Sequence, residues 1–120
     1  MGQVIARRGK DIQWMGNRSM EVNGEVKPGI RSKLYLNPAR DPAMFRLVEY
    51  AAGYTEPKHR HNADEIVYVV AGEVDIGGTR YEAGDTLWIE ADTDYGPLRA
   101  GPNGMTFILV RQKEANYVTS

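Results

Sequence analysis

A chain of 120 residues with ordinary hydrophobic (42%) and charged (26%) fractions is the size of one domain with one core, and nothing in it leans toward disorder, collagen or coiled coil. Acidic and basic side chains nearly balance at a formal net charge of -1, which gives a polyanion no footing and sets nucleic acid aside as a partner. With no cysteine, disulfides, thiolate metal sites and cysteine nucleophiles are excluded, and any metal must rest on nitrogen and oxygen.

Residues 1–10 are polar and basic without an apolar stretch of signal-peptide length, and no later run is apolar enough to span a membrane, so a cytoplasmic protein without membrane contact is expected. Residues 1–29, broken by Gly16, Asn17, Asn23-Gly24 and Pro28-Gly29, read as an extended arm or edge strands. From there on, short β-branched and aromatic segments recur between turn residues, and no long 3.6-residue period appears. Strands are expected at 30–37, 44–50, 58–61, 65–71, 73–76, 79–83, 86–89 and 105–112, a number suited to a barrel or two-sheet jelly roll spanning 30–113, with 114–120 as a tail. Pro38 and Pro42 mark a loop, Gly77-Gly78 a two-residue hairpin, and Pro102-Asn103-Gly104 a second hairpin before Met105.

Tyr50, Tyr68, Trp88, Phe107 and Leu109 supply apolar area for the interior. Arg46, Arg99 and Arg111 read first as solvated surface charges, each with the fork geometry to take a substrate carboxylate. There is no phosphate-binding glycine loop and no Gly-x-Ser-x-Gly nucleophile turn.

The informative stretch runs from Gly53 to Gly72. Side chains alternate faces along a strand, so His59 and His61 point the same way. Three residues turn the chain and Glu65 opens the next strand. Antiparallel neighbours lie about 5 Å apart, so its carboxylate can meet both imidazoles around one ion. Two histidines and one carboxylate on one side of a metal form the facial set of non-haem iron(II) oxygenases. Taken alone, the same residues also describe an exposed histidine pair and a surface charge, because a ligand set needs convergent geometry as well as residue type. Against that stands the frame: both histidines of the chain fall here, with Gly53 six residues before His59 and Gly72 seven after Glu65.

Gly, five residues, His-x-His, three residues, Glu, six residues, Gly: this spacing resembles the first motif of the cupin superfamily at every defined position. The family's second motif, Gly, five residues, Pro-x-Gly, two residues, His, three residues, Asn, is met only at Gly84. Glu90 stands for its Pro, Asp92 for its second Gly, Tyr95 for the ligand histidine and Arg99 for the Asn. The resemblance covers residues 30–111 and implies an all-β fold, a single cupin barrel or double-stranded β-helix of jelly-roll type, holding one divalent metal ion through His59, His61 and Glu65. Iron(II) is favoured, with manganese, nickel, zinc and copper as alternatives.

The chain has no third histidine, so the family's set of three histidines and a glutamate cannot be completed. Three parts are open to Tyr95: a phenolate ligand, a neutral phenol that gives or takes a proton beside the metal, or packing. Family members often pair through sheet edges, which implies a homodimer to which the arm can add a strand.

Two imidazoles and one carboxylate leave an ion net positive, with up to three coordination sites free. The expected function is therefore a metal-dependent enzyme for a compact organic substrate, an iron(II) oxygenase or dioxygenase first, with Glu65 and Tyr95 as catalytic groups. The alternatives are an isomerase, lyase or decarboxylase of the same fold, or a non-catalytic protein that senses a ligand or metal. A storage cupin fits least, since those pair two barrels in one chain.

Overall fold

Alternating apolar residues between turn-forming ones produce strands, and the computed structural model, which describes residues 2–112 and 117–119, is all-β as expected. A 3₁₀ turn at Gly9–Asp11 is the one helical element among the described residues, and no helix there is long and apolar enough to cross a membrane. The strands are β1 (Met15–Val22), β2 (Glu25–Leu36), β3 (Met44–Tyr50), β4 (Thr55–Glu56), β5 (His59–His61), β6 (Glu65–Ile76), β7 (Thr79–Glu82), β8 (Thr86–Ile89), β9 (Leu98–Arg111) and β10 (Tyr117–Thr119). All pair antiparallel. The main sheet runs β1-β2-β3-β9-β6-β7, with β8 also on β6 and β4 also on β9, while β5 pairs with β10 in a small second sheet.

Period-two alternation turns one side of each strand inward. Met44 and Val48 on β3, Val67, Val69 and Val74 on β6, and Leu98, Met105, Phe107 and Leu109 on β9 form the core, with Ile30, Leu34 and Leu87 packed against it. Along β6 the inward set is odd-numbered through Val69 and even-numbered at Val74, and the change of phase falls at register shifts on either side of Gly72. Gly72 has φ +79°, and a Cβ there would collide with the Gly104 carbonyl, so only glycine fits this bulge.

The bulge explains two corrections. Segments 65–71 and 73–76 are one strand, and Pro102-Asn103-Gly104 is no hairpin but an irregular stretch inside continuous β9, fastened by Glu73, whose Oε1 accepts the Asn103 backbone N–H at 3.0 Å. Gly77-Gly78 does close the two-residue hairpin between β6 and β7. Within residues 1–29, Asn23-Gly24 turns β1 back onto β2 as a second hairpin at the sheet edge, and β2 continues past residue 30. The arm ahead of β1 is tied down by Arg7, whose guanidinium pairs with Asp41 at 2.9 Å in the loop after β2. Burial of aromatics differs from the expectation at two places. Tyr50, Phe107 and Leu109 face the interior, but Trp88 (69% exposed) and Tyr68 (44%) sit at outward positions of β8 and β6. Of the tail, residues 117–119 form β10, and 113–116 and 120 lie outside the described residues.

Candidate functional site

A cavity of about 330 Å³ lies between the strands, apolar at Val48, Val67, Phe107 and Leu109 and polar where β5, the start of β6 and the end of β9 meet. Strand β5 supplies the two histidines. Alternation sends His59 and His61 inward and Arg60 outward, where it lies 3.6 Å from Asp94. One edge of β5 is paired with β10; elsewhere it holds the loop that follows β8, through reciprocal backbone bonds between His59 and Tyr95 (3.0 and 2.9 Å) and from Asp92 N–H to the His61 carbonyl (2.7 Å). Those bonds bring Tyr95 into the cavity.

His59 is buried, with Nδ1 2.8 Å from the Pro57 carbonyl. A carbonyl only accepts, so in the neutral ring the proton sits on Nδ1 and Nε2 presents its lone pair to the cavity. Nε2 meets the Tyr95 hydroxyl at 3.0 Å, and that hydroxyl lies 3.2 Å from Glu65 Oε2. The other carboxylate oxygen of Glu65, Oε1, is 3.0 Å from His61 Nε2. The sequence-predicted residues His59, His61, Glu65 and Tyr95 are thus brought together, their donor atoms spaced by 3.0–3.2 Å in the order His59, Tyr95, Glu65, His61. They are not closed round a common point: among the described residues no three His, Asp or Glu side chains form a ready metal-ligand group. A cation of the protein's own lies among them. Arg111 donates to Glu65 Oε1 from Nε (3.0 Å) and Nη2 (2.5 Å), and Nη2 lies 3.4 Å from His61 Nε2.

Electrostatics follow from these contacts. Burial works to raise the Glu65 carboxyl, but His61 and Arg111 together outweigh it and hold it below its ordinary value. Tyr95 is pushed far up, first by burial and then by the Glu65 charge beside it, so its phenol is neutral here.

Two residues of the site depart from the sequence reading, which takes Arg111 first as a surface charge and does not mark Glu56. Arg111 belongs to the site rather than to the surface; it continues the inward set Phe107, Leu109 along β9, a period-two signal present in the sequence. Glu56, unmarked in the motif, is buried with Oε1 accepting the Tyr54 hydroxyl at 3.1 Å and Oε2 3.7 Å from His59 Nε2. It lies three residues before His59 across Pro57, so strand alternation could not have found it. Arg46 also lines the cavity, whereas Arg99 lies outside it, near Glu73, Asp75 and Arg80.

Residues 46–111 match the family model described as Cupin domain. No curated protein matches the chain in sequence. Among solved structures it resembles the polyketide cyclase RemF from Streptomyces resistomycificus, with a TM-score of 0.74 at 16% identity over 99% of this chain and 85% of that one. It also resembles a sugar phosphate isomerase from Silicibacter pomeroyi (TM-score 0.72, 18% identity, 97% and 82% covered). A candidate acetylacetone dioxygenase from Methylibium petroleiphilum gives a TM-score of 0.70 at 15% identity, with 99% and 85% covered. At such identities the likeness shows the fold.

Proposed function

This chain belongs to the cupin domain family, and on that footing we propose that it is a metal-dependent enzyme acting on a compact organic substrate in its central cavity, most specifically a non-haem iron(II) oxygenase. One observation carries the reading. The Pro57 carbonyl fixes the His59 ring so that the Nε2 lone pair faces the Tyr95 hydroxyl, and that single hydroxyl proton stands between two acceptors, His59 Nε2 and Glu65 Oε2. A cation shared by His59, His61 and Glu65 would suit all of these acceptors, and the 3.0 Å between Glu65 Oε1 and His61 Nε2 matches neighbouring ligands around an ion with bonds of about 2.1 Å. Nitrogen and oxygen donors of this kind suit iron(II) and equally manganese, nickel, zinc or copper. Glu65 would hold the ion together with the two histidines, and Arg111, which donates to Glu65 Oε1, would have to yield that contact to it. That the resembling structures are named as a cyclase, an isomerase and a candidate dioxygenase supports an enzyme of small-molecule chemistry.

When bound, the ion supplies Lewis acidity and, as iron(II), the electrons for dioxygen chemistry. The chain's own residues do the rest. Burial of His59 and Glu65 keeps bulk water from the donors, Arg111 keeps Glu65 ionised until it is needed, and the neutral Tyr95 phenol holds a proton within reach of the substrate.

Metal analysis of protein purified without chelator, then reconstitution with iron(II), manganese(II), nickel(II) and zinc(II) and oxygen-uptake assays on small acids, diketones and phenols, tests this. One ion per chain with oxygen consumption is expected. Uptake of none of the four metals overturns the reading in favour of a second one, which the 2.5 Å contact of Arg111 with Glu65 favours: a metal-free cupin in which Arg111 is the resident cation and His59 and Tyr95 relay a proton, as in an isomerase or lyase. Metal uptake without turnover of any substrate would favour a sensor. For quaternary structure we propose a homodimer, because the outward residues Ile66, Tyr68, Val70 and Trp88 form an exposed apolar face on β6 and β8.

A further inference from the structure

Strand β4 is two residues long and pairs with β9, Glu56 opposite Leu98, and alternation buries Glu56 while Thr55 stays exposed. The Glu56 carboxylate lines the central cavity together with His59, His61, Glu65 and Tyr95. Its two oxygens have different neighbours. Oε1 accepts the Tyr54 hydroxyl at 3.1 Å, and Oε2 lies 3.7 Å from His59 Nε2. Tyr54 is itself fixed in place, its ring packed on Tyr50 at 4.8 Å between centroids and pressed against Gly29 of β2, where a Cβ would collide with it. The Tyr54 carbonyl also accepts the Ala100 N–H from β9 at 2.8 Å. The side chain that aims Glu56 is thus held by three strands.

We propose that Glu56 is a fourth protein ligand of the metal ion, beside His59, His61 and Glu65, with Tyr54 as the residue that positions it. This rests on the metal reading given above and adds a donor to it. The separation of 3.7 Å from His59 Nε2 falls between the ~3.0 Å of ligands at right angles and the ~4.2 Å of opposed ligands around an ion with bonds of about 2.1 Å. Glu56 serves without giving up a contact, because a carboxylate offers about four lone-pair sites and Tyr54 takes one of them. A divalent ion is costly to bury unless anions meet it, and Glu56 adds a second buried carboxylate to that of Glu65. Ligating carboxylates are in turn hydrogen-bonded by a neighbour that fixes their direction, the part played here by Tyr54.

Manganese(II) titrated into the chelator-treated full chain and read by electron paramagnetic resonance tests this in the parent, Glu56→Ala, Glu56→Gln and Tyr54→Phe. Glu56→Ala is expected to weaken manganese(II) binding by about 100-fold or more, and Glu56→Gln, whose amide oxygen still donates, by about 10-fold or more. Tyr54→Phe is expected to cost about 10-fold, the low end for losing a ligand's hydrogen-bond partner. Line broadening in H₂¹⁷O counts the waters on the ion, and Glu56→Ala is expected to carry one more than the parent. Parent affinity in both Glu56 variants overturns the proposal and leaves the metal reading standing. A weakened Glu56→Ala with the parent's water count overturns it too, since Glu56 then only orients His59. Should Glu56→Ala fail to fold, Glu56→Gln, which keeps the size of the side chain and an acceptor for Tyr54, decides by its affinity. A parent that takes up no manganese(II) also overturns the proposal, and the metal reading falls with it only if iron(II), nickel(II) and zinc(II) are refused as well.

Discussion

Tyr95 and His59 are joined twice, by reciprocal backbone hydrogen bonds of 3.0 and 2.9 Å and by the contact of the Tyr95 hydroxyl with His59 Nε2 at 3.0 Å. The backbone pair places the ring whatever the side chain does, so Tyr95→Phe removes the hydroxyl without moving the loop. If Tyr95 serves as a proton donor, metal content is expected to stay near the parent's, while turnover on a substrate found by oxygen uptake falls about 10²-fold. A phenolate charge-transfer band in the iron(III) protein that disappears in Tyr95→Phe would instead make Tyr95 a ligand.

His59→Ala and His61→Ala each remove a donor from β5, whose strand pairing is with β10 and not with the main sheet. Metal affinity is expected to fall by more than the roughly 10–100-fold typical of losing a ligand's hydrogen-bond partner. Far-ultraviolet circular dichroism is expected to stay that of the parent, since the apolar core lies on β3, β6 and β9.

Arg111→Met strands a buried carboxylate. Glu65 keeps His61 and Tyr95 but loses two charge-assisted contacts, and urea unfolding of the metal-free protein is expected to show a loss of about 3 kcal/mol. Adding Glu65→Gln to Arg111→Met is expected to restore most of it, because the charge that needed Arg111 is gone. A loss of stability unchanged in the double variant would show that Arg111 acts through packing.

Glu56→Gln keeps an acceptor for the Tyr54 hydroxyl and removes a charge. The Tyr54 phenol is pushed up to about 12, chiefly by burial and next by the Glu56 charge. In Glu56→Gln the value is expected to fall while remaining above the ordinary tyrosine value of about 10, since burial is untouched. Titration of ¹³C-labelled tyrosine by NMR, with Tyr54 assigned through Tyr54→Phe, reads this directly.

Trp88 is 69% exposed at an outward position that pairs with Ile66 across β6 and β8. Light scattering at micromolar concentration is expected to give a dimer for the parent and a monomer for Trp88→Glu. A monomeric parent would remove the dimer.

How much of this was legible in the sequence depended on whether periodicity alone decides a residue's place. The His-x-His pair, its common face and the neighbouring Glu65 follow from alternation and one short turn, and the Gly77-Gly78 hairpin follows from turn chemistry. Periodicity leaves the choice of face open, and it was here that Trp88 and Tyr68 were assigned to the wrong side of β8 and β6. It also fails where the phase slips. The bulge at Gly72 joined two expected strands into one and made the Pro102-Asn103-Gly104 turn part of β9. Alternation along β9 aims Arg111 inward, but its pairing with Glu65, 46 residues away, required knowledge of which strands adjoin, and Glu56 was hidden because Pro57 interrupts the strand before His59.

The placement of β9 between β3 and β6 sets a schedule for synthesis. A ribosome makes residues in order at about 5–20 per second, and until Leu98–Arg111 has emerged β3 and β6 have no shared neighbour, whatever has formed ahead of them. The β1–β2 and β6–β7 hairpins can close early because their turns are local. The cavity cannot, and the histidine strand waits longer still, since its partner at Tyr117–Thr119 follows β9 in the chain. His59 and His61 are therefore made before the strands that wall them in, and the cavity proposed to take an ion is complete only once β9 and β10 are in place.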